Sequence, residues 1–174
     1  MAGETKEWIK DLAEAARQLR VGPGMDPNTD VGPLITPASK TRVESLITSG
    51  VAHGAVCLLD GRNVTVPGYE TGNFVGPTVL SNVTVDNPAY VEEIFGPVLV
   101  CMSVDSLDEG LQIINRNKYG NGCAIFTSSG AAARKFQREV DVGQVGYHSS
   151  LSVCFGGLDV FFTFVHVPLS IMLI

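Results

Sequence analysis

A chain of 174 residues, 45% hydrophobic and 17% charged, has the size of one domain and enough apolar content for a core, which argues against wholesale disorder. A net charge of -6 and a pI near 4.9 leave no basic face to neutralise a phosphate backbone, so nucleic acid is not expected as a partner. Cys57, Cys101, Cys123 and Cys154 stand far apart with no C-x-x-C pair, and His53, His148 and His166 share no metal-ligand spacing with them. The spacing predicts reduced thiols, no disulfide framework and no metal site.

In chain order, residues 1–7 hold neither an apolar signal core nor an Arg-rich presequence, so no targeting segment is expected in the chain. Trp8, Leu12, Ala15, Ala16 and Leu19 recur at helical spacing, and Gly22-Pro23-Gly24 is expected to end that helix. After a turn-rich segment, Thr36-Pro37 opens a second helix, with threonine as N-cap and proline in the first turn. Val43, Leu46 and Ile47 give it a buried face and Gly50 is its expected stop. The run Ala55 to Leu59, the Asp60-Gly61 turn and the alternating Val64-Thr65-Val66 read as a hairpin. A glycine-rich loop, Gly68 to Gly76, leads to extended chain from Pro77 to Val83.

Val98 to Val104 is a continuous apolar run of the kind expected for a strand covered on both faces. Ser106-Leu-Asp-Glu109 forms a capping box in which each side chain can satisfy the other's backbone amide. Leu107, Leu111 and Ile114 line the helix it starts, and Asn117 to Gly120 ends it. Cys123 to Thr127 reads as a strand, Ala131 to Val140 as a helix and Val142 to Tyr147 as a strand. From Val98 onward this alternation predicts right-handed crossovers and a parallel sheet flanked by helices, an α/β fold. The last 24 residues, from Leu151, contain one acid (Asp159), one histidine (His166) and no lysine or arginine. Leu158 to Ile174 holds eleven Leu, Ile, Val or Phe residues. That run is shorter than the ~20 residues of a membrane span and is opposed by Asp159, His166 and Pro168, so insertion is not expected. Retained intron or a shifted frame is the simpler reading of this tail.

The sharpest local feature is Glu92-Glu93-Ile94-Phe95-Gly96-Pro97-Val98. It places two carboxylates and an aromatic ring at a rigid Gly-Pro strand entry, where backbone can approach a ligand closely. An acid there can accept hydrogen bonds from ribose hydroxyls. The alternative is a solvated glutamate pair beside a core phenylalanine.

That heptapeptide resembles a signature of the NAD(P)-dependent aldehyde dehydrogenases. Ordered support comes from Val31-Gly-Pro-Leu-Ile35, Leu58-Leu-Asp-Gly-Arg62, Gly72-Asn-Phe-Val-Gly-Pro-Thr78, Tyr119-Gly-Asn-Gly122, Ala124-Ile-Phe-Thr127, Ala133-Arg-Lys135 and Val142-Gly-Gln-Val-Gly146. Together they are similar to the CoA-acylating, methylmalonate-semialdehyde branch, in its plant form, over about residues 4 to 146. The resemblance implies that residues 1–148 are the C-terminal part of the catalytic domain, with mainly parallel sheet, and that 149–174 is a non-homologous hydrophobic tail. It implies NAD as cofactor and CoA as acyl acceptor for oxidation of a malonate-type semialdehyde, in a mitochondrial homo-oligomer. With no targeting peptide a cytoplasmic location stays open, and assembly of this stretch is in doubt.

Residue by residue, the resemblance assigns Glu93 to the nicotinamide ribose hydroxyls and Phe95 to the flank of the nicotinamide, while Gly96 and Pro97 shape the turn. Glu92 receives no role. The family's nucleophilic cysteine follows a Gly-Gln pair, and none of the four cysteines here has that context. Cys123 reads as a small residue at a strand start, because no base adjoins it. The oxyanion asparagine and the NAD domain also have no counterpart here, so the expectation is a chain inactive alone, without catalytic residues. The rival readings are a non-catalytic partner of full-length subunits and, more remotely, a tail-anchored module. His148 and Phe155-Gly156-Gly157 sit where the family pattern has been left, and His148 reads as a surface histidine.

Overall fold

The computed structural model describes Met1, residues 3–147 and residues 169–173. The chain divides into two compact units, Trp8–Met102 and a second made of Met1–Glu7 with Ser103–Ile174.

In the first unit α1 spans Ile9–Arg17. Its buried residue is Ala13, with Ile9, Leu12 and Ala16 half-buried, whereas Ala15, expected on the buried face, is exposed. The helix stops well before Gly22, because Gln18 and Leu19 close it with tight bonds from their amides to the Ala15 and Ala16 carbonyls, both 3.2 Å. Helix α2 spans Pro37–Ala52 and starts as expected, with the Thr36 side chain accepting from the Ser39 amide at 3.0 Å. Val43 and Ile47 are its buried residues.

Gly50 does not stop α2. The helix continues to Ala52 and turns off at Gly54, whose φ of 96° is the left-handed conformation a helix end favours. Gly50 is instead buried against the short helix α3 (Pro88–Val91), where an added Cβ would lie 2.9 Å from the Ala89 Cβ. Asn87 fastens the same contact. Its Oδ1 accepts from the Ala89 amide at 2.9 Å and its Nδ2 donates to the Gly50 carbonyl at 3.0 Å, so this fully buried amide serves two helix ends at once.

The expected hairpin is replaced by a longer-range pairing. Strand β1 (Val56–Leu59) runs antiparallel to β2 (Thr78–Ser81), with a bulge between Cys57 and Leu59, and residues 64–66 form no strand. The chain is diverted because the Gly61 amide donates to Thr78 Oγ1 at 3.1 Å and its carbonyl accepts from the Gly76 amide at 2.8 Å. Strand β3 (Val98–Val100) joins β2 in parallel, with Thr78 opposite Val98, giving the order β1-β2-β3. All three β3 residues are half-buried, so this edge strand is shorter and more open than the apolar run suggested. Val43, Ile47, Ala55, Val75, Leu80, Val83 and Ala89 form the core.

In the second unit α4 (Leu107–Arg116), β4 (Gly122–Thr127), α5 (Gly130–Glu139) and β5 (Gln144–Tyr147) follow in the expected sequence. The Ser106 side chain caps the Glu109 amide at 3.2 Å, but Glu109 reaches back to the Asp105 amide at 2.8 Å and not to that of Ser106. Leu111, Ile114, Cys123, Ile125 and Phe136 form the core. Asn115 ties the two helices' ends, donating to the Glu139 carbonyl at 2.7 Å and accepting from the Asp141 amide at 2.9 Å.

The α/β class holds, with parallel pairs β2–β3 and β4–β5, the second joined through α5. The run from Val98 does not make one sheet, however. β3 pairs with β2, and β4 lies between β5 and an antiparallel β6 (Leu169–Leu173). The rest of the expected tail, with His148, Cys154 and Phe155-Gly156-Gly157, lies outside the described residues. Among the described residues no helix is long and apolar enough to cross a membrane.

Gly50→Ala sets two effects against each other. Alanine gains up to about 1 kcal/mol of helix propensity, while forcing a methyl against the stiff Ala89 side chain costs about 1–3 kcal/mol. The expected outcome is a lower urea midpoint with the slope unchanged; an equal or higher midpoint would show that α2 and α3 are not in this contact.

Candidate functional site

The segment 92–97 leaves α3 and enters β3, and its conformation is set at both ends. Glu92 closes α3 by donating its amide to the Pro88 carbonyl at 3.1 Å. At the far end the Pro97 carbonyl accepts from the Thr78 amide at 2.8 Å, and the Val98 amide donates to the Gly96 carbonyl at 2.7 Å. Between them Ile94 packs against the core and Gly96 lies on Val43, so closely that a Cβ would come within 2.9 Å of Val43 Cγ2. Phe95 has nowhere to go but out. Its backbone takes a φ of 52° and the residue is 79% exposed.

This settles one of the sequence alternatives. The core aromatic reading fails, because Ile94 fills the inward position and Phe95 projects into solvent. A non-glycine residue in the left-handed region costs of order 1–3 kcal/mol and points to functional sites, and an exposed ring recovers nothing by burial. Glu92 and Glu93 are both exposed, and no described residue binds either carboxylate. The turn thus offers a free carboxylate and an aromatic face within three residues. A carboxylate accepts from hydroxyl pairs, and a ring stacks on a planar heterocycle.

Sequence reasoning missed the base of this turn. Arg42, exposed on α2, donates from Nη1 to the Ile94 carbonyl at 3.0 Å and from Nη2 to the Glu93 carbonyl at 2.6 Å. Its neighbour Val43 was read only as a core residue, and no local pattern links either to a segment so far along the chain.

The described thiols are quiescent. Burial pushes the Cys101 and Cys123 thiols up to about 11, and burial followed by the charge of Asp60 raises Cys57 as well. Cys123 is wholly enclosed in β4, in keeping with a packing residue. No group of three or more described His, Cys, Asp or Glu residues could hold a metal ion. A separate open cavity of about 530 Å³ is lined by Arg20, Gly22, Asp26, Thr29 and Tyr69 among others and includes no residue of the 92–97 turn.

Residues 3–158 match the profile of the aldehyde dehydrogenase family. The mitochondrial acylating methylmalonate-semialdehyde dehydrogenase of Arabidopsis thaliana is 59% identical over 144 residues, covering 83% of this chain and 24% of the plant protein. The mitochondrial acylating methylmalonate-semialdehyde/malonate-semialdehyde dehydrogenase of Homo sapiens is 58% identical over 146 residues, covering 84% of this chain and 27% of the human protein. The chain therefore spans only about a quarter of the length of these relatives. Among solved structures, methylmalonate-semialdehyde dehydrogenase from Oceanimonas doudoroffii superposes with a TM-score of 0.78 at 39% identity, over 82% of this chain and 29% of that one. A Mycobacterium tuberculosis aldehyde dehydrogenase complexed with NAD+ gives 0.74 at 31% identity, over 82% and 29%.

A thiol raised to about 11 holds roughly a hundredfold less thiolate near neutral pH than one of ordinary pKa. Alkylation by iodoacetamide at pH 8, followed peptide by peptide by mass spectrometry, is expected to be at least that much slower at Cys101 and Cys123 than for a free thiol. Rapid labelling of either in the folded chain would contradict the burial described.

Proposed function

The chain belongs to the aldehyde dehydrogenase family, and from that premise we propose that Glu93 and Phe95 form the part of its cofactor site that holds the nicotinamide ribose. The observation that carries the reading is the 92–97 turn, which presents a carboxylate that no described residue binds beside an exposed aromatic residue. Both features fit the group. The Glu93 carboxylate accepts from the ribose hydroxyls, and the Phe95 ring packs on the nicotinamide and limits its rotation. NAD, when bound, supplies the hydride acceptor.

The reaction proposed for the enzyme that contains this segment is oxidation of a methylmalonate- or malonate-type semialdehyde to an acyl-CoA. Its support is the acylating, mitochondrial relatives at 58–59% identity. CoA as acceptor and a mitochondrial location follow from that resemblance, and no described residue is assigned to CoA. Residues 1–174 taken by themselves are proposed to be catalytically silent, because no described thiol is activated for attack on an aldehyde.

Magnitudes set how the site is tested. Hydrogen bonds to a charged acceptor contribute about 1.5–3 kcal/mol and a ring contact about 0.5–1.5 kcal/mol, against an association cost of at least ~4 kcal/mol. Contact from this turn alone is therefore millimolar or weaker. Saturation-transfer NMR with nicotinamide riboside, which carries the ring and ribose hydroxyls but no phosphate, suits that range. The wild-type chain is expected to transfer saturation to the riboside and Glu93→Gln to lose most of it, while the 174-residue polypeptide forms no NADH from NAD, CoA and malonate semialdehyde. Riboside contact indifferent to Glu93 would overturn the site, and NADH formation would overturn the silence of the polypeptide.

A further inference from the structure

Arg42 spends its charge in an unusual way. No described carboxylate pairs with it; both of its terminal nitrogens go to backbone carbonyls, Nη1 to Ile94 at 3.0 Å and Nη2 to Glu93 at 2.6 Å. The two acceptors belong to successive peptides and immediately precede Phe95, the residue whose φ of 52° throws the ring outward. One step along α2, Val43 lies under Gly96. Adjacent residues of one helix thus hold the turn on either side of its strained member.

We propose that Arg42 is a positioning residue for the cofactor turn, fixing through the Glu93 and Ile94 carbonyls the backbone from which the Glu93 carboxylate and Phe95 ring project. The inference rests on the reading that these two residues hold the nicotinamide ribose. Among the described residues Phe95 has no other compensation for its backbone. A phenylalanine leaves the left-handed region unless its surroundings over-determine it, and an exposed ring adds no packing to do so. Ile94 and Gly96 anchor the flanks, but neither fixes the two peptide planes, 93–94 and 94–95, that lead into Phe95. A planar guanidinium with two donors in a rigid fork does, because tilting either plane breaks one of its bonds. A lysine ammonium is a single point donor and cannot hold both carbonyls in one geometry. Arg42 touches nothing that reacts, and its effect reaches the cofactor through the turn.

The experiment compares the wild-type chain with Arg42→Met, Arg42→Lys and Glu93→Gln by two readouts. The first is the strong intraresidue amide-to-α-proton NOE that a positive φ gives at Phe95, with the Ile47 and Leu80 amides as controls for an intact fold. The second is saturation transfer to nicotinamide riboside. Arg42→Met is expected to lose the NOE and to weaken riboside contact by about tenfold, with control amides unmoved and the Glu93 carboxylate still present. Arg42→Lys is expected to fall close to Arg42→Met. If Arg42→Met keeps both signals while Glu93→Gln loses the riboside, Arg42 has no positioning role and the reading of Glu93 stands. If Arg42→Lys behaves as wild type, charge and not the fork is what matters, and the proposal fails. If the wild-type chain shows no riboside contact, or Glu93→Gln keeps it, the site reading fails and the role of Arg42 in presenting it fails with it.

Discussion

How closely α2 can lie against segment 87–96 governs the Trp8–Met102 unit. Two glycines set that distance: Gly50 admits Ala89 and Gly96 accepts Val43, each with its missing Cβ 2.9 Å from a neighbouring carbon. With the helix that close, Asn87 can reach the Gly50 carbonyl, and Arg42 can reach those of Glu93 and Ile94. The apolar residues beneath, Val43, Ile47, Leu80 and Ala89, supply most of the favourable free energy. The polar contacts contribute less each, about 0.5–1.5 kcal/mol net, but they decide the geometry. Burial alone would hold the segment in place without settling which residue of the turn faces outward.

That division of labour places chemistry at the edge of the sheet. Ile94 enters the core, Gly96 meets Val43 and Arg42 holds the Glu93 and Ile94 carbonyls, and together these turn the residue between them outward. An aromatic exposed there gains little for the fold, and the carboxylate two residues earlier has no partner among the described residues. Both features are costs to the isolated structure that a bound ligand would offset, which is why the turn and not the open cavity is read as the functional surface. The Cys101 and Cys123 thiols show the opposite arrangement, buried and shifted away from reactivity.

Legibility in the sequence followed the range of the interaction. The Thr36 and Ser106 caps were readable because cap and amide lie three residues apart. The order of helices and strands from Ser106 to Tyr147 was readable from periodicity for the same reason. Gly50 misled, since a glycine near a helix end signals a stop, whereas here its lack of a side chain serves a contact with Ala89, far along the chain. The hairpin misled because Val64-Thr65-Val66 alternates as a strand does, yet the bonds of Gly61 commit the neighbouring chain to Gly76 and Thr78. Glu93 and Phe95 were singled out by resemblance. Which of Ile94 and Phe95 faces inward was not, and Arg42 was invisible, since its acceptors lie 51 and 52 residues away.

We propose the turn at 93–96 as the cofactor-facing surface of this chain. It is tested most directly by mapping backbone amide shifts across the folded chain while NAD is added at millimolar concentration. The account predicts saturable shifts concentrated at Glu93, Ile94, Phe95 and Gly96, with the cores of both units unmoved. No shifts at those residues, or shifts centred on the cavity lined by Arg20, Asp26 and Tyr69, would contradict it.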